Sequence, residues 1–157
     1  MARVLVAYYS RTGNTEKMAR SVAEGVRAGG AEADLRRVED VAAGDLPGYD
    51  GIIIGSPTYY GTMAWEVKKL LDESVAHHGA LDGKAGAAFT SAANIGGGNE
   101  TTVLAIIEAM LIHGMVVQGD PEGDHYGRVS IEAPDRRVDA QCRRMGERVA
   151  ALLARLG

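Results

Sequence analysis

The chain has 157 residues, 46% of them hydrophobic and 24% charged, and a formal net charge of −4. That is one domain's worth of chain, apolar enough to offset its ordering entropy, which excludes a disordered polypeptide. The acidic balance argues against nucleic acid as a partner, and one cysteine excludes a disulfide framework or a cysteine-based zinc site.

Single-cysteine usage points to the cytosol. No apolar run is long enough to span a bilayer, and Val4 to Tyr9 is too short for a signal-peptide core. Without linker, repeat or composition shift, the expectation is one domain over residues 1–157.

Val4-Leu5-Val6-Ala7 is a continuous apolar run, the pattern of a strand buried on both faces. Ser10-Arg11-Thr12-Gly13-Asn14-Thr15 follows, then a helix with the stripe Met18, Val22 and Val26, ended by Gly29-Gly30. Ala33 to Val38 is a half-polar strand suited to a sheet edge. Ile52-Ile53-Ile54 marks a second buried strand. After the loop Pro57-Thr58-Tyr59-Tyr60-Gly61-Thr62, residues Met63, Val67, Leu70, Leu71 and Val75 recur at helical spacing. Ala85 to Thr90 is a central strand, and Ser91-Ala92-Ala93-Asn94-Ile95-Gly96-Gly97-Gly98 a glycine-rich loop. Val103, Ile106, Ile107, Met110 and Leu111 form the next helical stripe. Met115-Val116-Val117 is a fifth strand, and an acidic loop from Gly119 to Gly127 carries His125 and Tyr126. The last helix holds Val138, Cys142, Met145, Val149, Leu152, Leu153 and Leu156.

Strand and helix alternate throughout, which requires parallel strands joined by right-handed crossovers. The chain is too short for an eight-fold barrel. The expected fold is therefore α/β: a doubly wound five-stranded parallel sheet of order 2-1-3-4-5, with ligands at the carboxyl ends of the strands.

Three loops meet at that edge. Ser10 to Thr15 offers hydroxyls, an amide and a glycine where a strand hands over to a helix, which suits a phosphate. The plainer alternative is N-capping by Thr12 or Asn14. In the second loop Tyr59 and Tyr60 can flank a flat ring, or half-bury against a helix start. In the third, small residues let the backbone lie against a planar ligand, or form an ordinary mobile connection. Trp65 lies off its helix stripe, at a subunit contact or at the ligand mouth.

Other chemistries fail on spacing. No GxxxxGK[ST] and no GxGxxG occurs. Cys142 with Arg148 matches CxxxxxR, but on a helix's apolar stripe rather than in an anion-binding loop, so an inert buried thiol is expected. There is no GxSxG for acyl transfer. A receiver domain needs acidic residues where Tyr9-Ser10 and Gly55-Ser56 stand. No pair among His77, His78, His113 and His125 has metal-ligand spacing, so no metal site is expected.

Taken together, the three loops resemble the flavodoxin-like superfamily. Ser10-Arg11-Thr12-Gly13-Asn14-Thr15 is similar to the phosphate loop of flavodoxins. Pro57-Thr58-x-x-Gly61-x-Met63, Leu71-Asp72, Gly83-Lys84, Gly96-Gly97-Gly98-x-Glu100, His113-Gly114-Met115 and Tyr126-Gly127 resemble the WrbA-type NAD(P)H:quinone oxidoreductases. The resemblance implies FMN as cofactor, NAD(P)H as co-substrate and a quinone-like acceptor. It implies FMN phosphate at Ser10, Arg11, Thr12, Gly13, Asn14 and Thr15. The flavin ring would lie between Pro57, Thr58, Tyr59, Tyr60, Gly61 and Thr62 on one side and Ser91, Ala92, Ala93, Asn94, Gly96 and Gly97 on the other. No side chain stands out as catalytic, because the flavin carries the chemistry; His125 and Tyr126 are the candidates for proton supply.

The chain departs from the family in four places. Glu39 to Tyr49 is shorter than the insertion associated with tetramers, which leaves a homodimer as an alternative assembly. Tyr59 replaces an arginine, Ile112 replaces a histidine, and His77-His78 stand near where an aromatic is expected. Two other readings remain open: an electron-carrier flavodoxin serving partner proteins, and a flavin-free binding module on the same fold.

Overall fold

The computed structural model describes residues 1–157. The central sheet is β1 (Arg3–Tyr8), β2 (Glu32–Arg37), β3 (Gly51–Tyr59), β4 (Thr62–Met63), β5 (Ala85–Ala92), β6 (Val116–Val117) and β7 (Arg128–Ile131). The helices are α1 (Asn14–Ala28), α2 (Trp65–Glu73), α3 (Asn99–Ile112) and α4 (Arg136–Leu156). The strand path is β2-β1-β3-β5-β6, all parallel, with β7 continuing alongside β5. This is the doubly wound α/β topology, with β2 at one edge as its half-polar pattern requires.

The strand count differs from expectation. The fifth position is split: β6 pairs with Ala85 and Gly86, and after an excursion β7 pairs with Phe89 through Ala92. Arg128-Val129-Ser130-Ile131 carries no apolar run, so periodicity does not reveal β7. The second loop is also more ordered than expected. Pro57-Thr58-Tyr59 extends β3, Tyr60 and Gly61 both take positive φ (47° and 82°), and Thr62–Met63 returns antiparallel. This is a two-residue hairpin turn of the kind that needs left-handed backbone at both central positions. Met63 therefore precedes α2, and Val75 lies beyond it and is exposed, as is Leu111 on α3.

Side-chain alternation along β1 builds two cores. Val4, Val6 and Tyr8 face α1 and α4, whereas Leu5 and Ala7 face α2 and α3. Cys142 is fully buried in the first core, and burial pushes its thiol up to about 12, so it is inert. The α1–α4 contact is held close by glycine: a Cβ at Gly25 would collide with the Arg143 carbonyl, and one at Gly146 with the Val22 carbonyl. Likewise a Cβ at Gly55 would enter the ring of Phe89.

The excursion between β6 and β7 is tied to α4 by charge. Asp120 is buried and pairs with fully buried Arg128, with Arg144 (Nε 2.8 Å, Nη2 3.0 Å) and with Arg148 (Nε 3.4 Å). Hydrogen bonding from Arg144, against the cost of burial, and then the Glu122 amide and Arg128 hold its carboxyl well below the usual carboxylate range. At the opposite end of the sheet from the three loops, His113 is buried with Nε2 2.8 Å from Ser74 Oγ. Burial and then His78 push its pKa down. His77 and His78 sit at this same far end, away from the ligand edge.

Two outcomes follow for stability. Gly146→Ala should cost about 2–3 kcal/mol in urea unfolding, because backbone on both sides forbids the added methyl. Asp120→Asn should cost about 3 kcal/mol, since it strands Arg128 in the interior. The Asp120 contribution is present above the unfolded carboxylate pKa of about 4 and is lost as pH falls below it. Acid titration of the wild type by circular dichroism should show that loss, and the Asn variant should show less of it.

Candidate functional site

The site begins at the β1–α1 junction. β1 ends at Tyr8, whose successor Tyr9 still donates to the Gly55 carbonyl at 3.1 Å. Gly13 then adopts φ +102°, a left-handed turn that starts α1. Neither Thr12 nor Asn14 caps the helix. Instead Ser10 Oγ accepts the Gly13 N–H at 3.1 Å, which stiffens the loop from inside. The first intrahelical bond runs from Lys17 N–H to Gly13. The N–H groups of Ser10, Arg11, Thr12, Asn14, Thr15 and Glu16 consequently donate to no protein acceptor. Unpaired amides at a helix N-terminus are an anion cradle, reinforced by the helix dipole.

These donors open into a cleft of about 340 Å³. Ser10, Arg11, Thr12, Asn14 and Thr15 line one end, Pro57, Thr58 and Tyr59 one wall, and Ser91, Ala92 and Ala93 the other, with Glu132 beside them. Hydroxyl pairs hold the walls together. Thr15 Oγ1 lies 2.7 Å from Ser91 Oγ, and Thr58 Oγ1 lies 2.8 Å from Thr90 Oγ1. Ser56 Oγ accepts the Ala64 N–H at 2.8 Å and pins the hairpin to its own strand. Arg37 Nη2 donates to the Ser10 carbonyl at 2.8 Å and lies over the Tyr8 ring.

The remaining sequence candidates stand elsewhere. Gly13 shapes the cradle without lining the cleft. Tyr60 is fully exposed at the hairpin turn, so the two tyrosines do not form a matched pair: Tyr59 lines the cleft and Tyr60 points to solvent. Gly61 accepts from Thr101 Oγ1 at 2.9 Å, and the hairpin turn rests so close to Gly98 that no side chain fits there. Thr62 pairs with Tyr59 in the hairpin. Ser91 and Ala92 belong to β5 rather than to a loop. Asn94, Gly96 and Gly97 lie in the turn beyond rather than lining the cleft, with Asn94 and Gly96 hydrogen-bonded to Asn99. His125 and Tyr126 line a neighbouring cleft with Ile95, Asn99 and Glu100. Trp65 is exposed at the start of α2 and lines neither cleft.

Sequence reasoning missed Glu132 and Arg37. Glu132 takes a left-handed φ of +59°, held by its N–H on the Ala92 carbonyl at 2.7 Å and by Ser130 Oγ on its own carbonyl. Only β7, itself unforeseen, brings it to the cleft. Arg37 sits at the end of an edge strand, where an arginine carries no local signal.

A doubly wound sheet with an unpaired-amide cradle at its first crossover defines a mononucleotide-binding α/β protein. The Flavodoxin domain model matches residues 5–113, and the chain belongs to that family. Among its relatives, an NAD(P)H dehydrogenase (quinone) from Gluconacetobacter diazotrophicus is 40% identical over 197 aligned positions, covering 99% of each chain. A flavodoxin from Aquifex aeolicus is 39% identical over 98% of this chain and 88% of its own. Among solved structures, the WrbA-like flavodoxin of Agrobacterium tumefaciens superposes over the whole of both chains with a TM-score of 0.85 at 25% identity. The family implies a flavin. The present residues fit one: free donors for a phosphate beside a cleft with Tyr59 on its wall.

The cradle can be tested with inorganic phosphate alone. Saturating phosphate should raise the melting temperature, and Gly13→Ala should abolish most of that rise while costing about 1 kcal/mol through its left-handed backbone. Differential scanning calorimetry with and without phosphate reads both.

Proposed function

We propose that this chain is an FMN-dependent oxidoreductase that takes electrons from NAD(P)H and passes them to a quinone or similar small acceptor. The observation that carries the reading is the set of unpaired N–H groups of Ser10, Arg11, Thr12, Asn14 and Thr15 beside a cleft with Tyr59 on its wall. The NAD(P)H dehydrogenase (quinone) names of full-length relatives support the choice of donor and acceptor.

The residues divide the work. The free amides of Ser10, Arg11, Thr12, Asn14, Thr15 and Glu16, with the hydroxyls of Ser10, Thr12 and Thr15, would bind the phosphate, and the positive end of α1 would favour its charge. Thr58, Tyr59 and Ala93 would hold the ring, and Tyr60, Gly61, Thr62, Asn94, Gly96 and Gly97 would stand at the rim around it. The Thr15–Ser91 pair fixes the cradle relative to the ring wall. When bound, the flavin supplies hydride acceptance and electron release. His125 and Tyr126 stand in the neighbouring cleft, so neither would donate a proton directly to a ring held between Pro57–Tyr59 and Ser91–Ala93.

A second reading, a one-electron carrier serving protein partners, is supported by relatives that are named flavodoxins. A flavodoxin from Clostridium saccharobutylicum is 37% identical over 94% of this chain and 95% of its own. An anaerobic titration separates the two. Protein loaded with FMN should lose its yellow absorbance on NADH or NADPH and regain it with a quinone. If dithionite bleaches the protein but nicotinamides do not, the carrier reading replaces the enzyme. Thr12→Ala should weaken FMN binding about fivefold in calorimetry and leave riboflavin binding unchanged, since only the phosphate contact is lost.

A further inference from the structure

The loop between β1 and α1 is held from outside the cleft by one side chain. The ladder of β1 with β2 stops where Tyr8 stands opposite Arg37, because β2 ends there and Val38 opens a short 3₁₀ turn. Beyond that point β2 offers β1 no further backbone donor. Arg37 fills the gap with its own side chain: Nη2 donates to the Ser10 carbonyl at 2.8 Å. The guanidinium is steadied by the Tyr8 ring, 5.6 Å from Cζ to the ring centroid, and by Glu39 Oε1 at 3.4 Å. A donor that carries charge makes the stronger kind of hydrogen bond to a carbonyl.

The Ser10 carbonyl shares one planar peptide unit with the Arg11 N–H. The chain contains no cis peptide, so the two groups point in opposite directions. β2 and β3 flank β1 on opposite sides. A carbonyl drawn toward β2 therefore turns the Arg11 N–H toward β3, the strand that carries Pro57, Thr58 and Tyr59 of the cleft wall. That N–H donates to no protein acceptor, and the bond from Arg37 is the only one that holds this peptide.

We propose that Arg37 is a positioning residue for the phosphate loop: by fixing the Ser10 carbonyl it aims the Arg11 N–H at the cleft, so that an anion meets a donor already oriented. The proposal rests on the reading that this loop binds phosphate. It adds that the edge strand takes part in the site. Arg37 does not line the cleft, so it acts through the peptide rather than on the anion. The gain is pre-organisation, since a peptide free to rotate would have to be ordered at the moment of binding.

The test is a titration of isotopically labelled protein with inorganic phosphate, followed at the backbone amides by nuclear magnetic resonance, in the wild type, Arg37→Met and Arg37→Lys. Methionine keeps an unbranched stem over the Tyr8 ring and removes the donor. In the wild type the Arg11 amide proton should move downfield with those of Asn14 and Thr15. In Arg37→Met the Arg11 shift should be largely lost while the other two persist, and phosphate affinity should fall about fivefold. Arg37→Lys, which keeps the charge and a donor, should recover part of both. FMN should weaken in Arg37→Met by the same factor as phosphate, and riboflavin not at all. A wild-type Arg11 amide that stays in place while Asn14 and Thr15 move overturns the proposal without recourse to any variant. So does an Arg37→Met protein that loses affinity but keeps the full Arg11 shift, because the guanidinium then acts by charge alone. If no amide of the loop responds to phosphate in the wild type, the phosphate reading itself fails and takes the proposal with it.

Discussion

Backbone hydrogen bonding at the first crossover constrains everything else in this molecule. A strand that ends at Tyr8 and a helix that begins at Asn14 must leave several N–H groups without ladder or helix partners. Most proteins satisfy some of these with a capping side chain. Here Ser10 uses its hydroxyl on Gly13 alone, and Gly13 supplies the left-handed turn that keeps the remaining amides on the cleft side. Their desolvation is costly unless an anion or water meets them, so the loop's architecture already specifies the charge of what it holds.

The scaffold keeps that loop in register with the cleft between Pro57–Tyr59 and Ser91–Ala93 at the sheet edge. Two hydroxyl pairs tie the parts together: Thr15 of α1 with Ser91 of β5, and Thr58 of β3 with Thr90 of β5. Beneath them the sheet is tightened by glycine and small residues. Gly55 accommodates the Phe89 ring, and the strand AGAAFTSA is buried along its whole length. Gly25 and Gly146 let α1 and α4 touch backbone to backbone, which fixes the direction in which α1 presents its N-terminus. The Asp120 arginine cluster plays the corresponding part on the other side, holding the β6–β7 excursion to α4 so that β7 can deliver Glu132 to the cleft.

Flavodoxin-fold chains host both enzymes and carriers, and the difference lies in what approaches the exposed ring edge rather than in the cradle. This chain presents Tyr60, Trp65 and Ile95 to solvent around the three loops. The tyrosine at position 59 is half-exposed, its ring steadied from behind by Tyr9.

The sequence by itself determined the alternation of strands and helices, the two-faced burial of β1, β3 and β5, and the edge character of β2. Those are local properties: apolar runs, helical periodicity and glycine punctuation report on a residue's immediate neighbours. It also determined the phosphate-suited loop, because hydroxyls and a glycine at a strand–helix junction act through adjacent backbone. Tertiary structure decided the rest. The split fifth strand was invisible because Arg128-Val129-Ser130-Ile131 is stabilised by pairing with β5 and by a buried ion cluster, not by its own pattern. The separation of Tyr59 from Tyr60 depends on a left-handed hairpin turn, and the Thr15–Ser91 bond joins residues 76 positions apart. Contacts of that kind exist only once the chain has closed on itself, so no local reading could supply them.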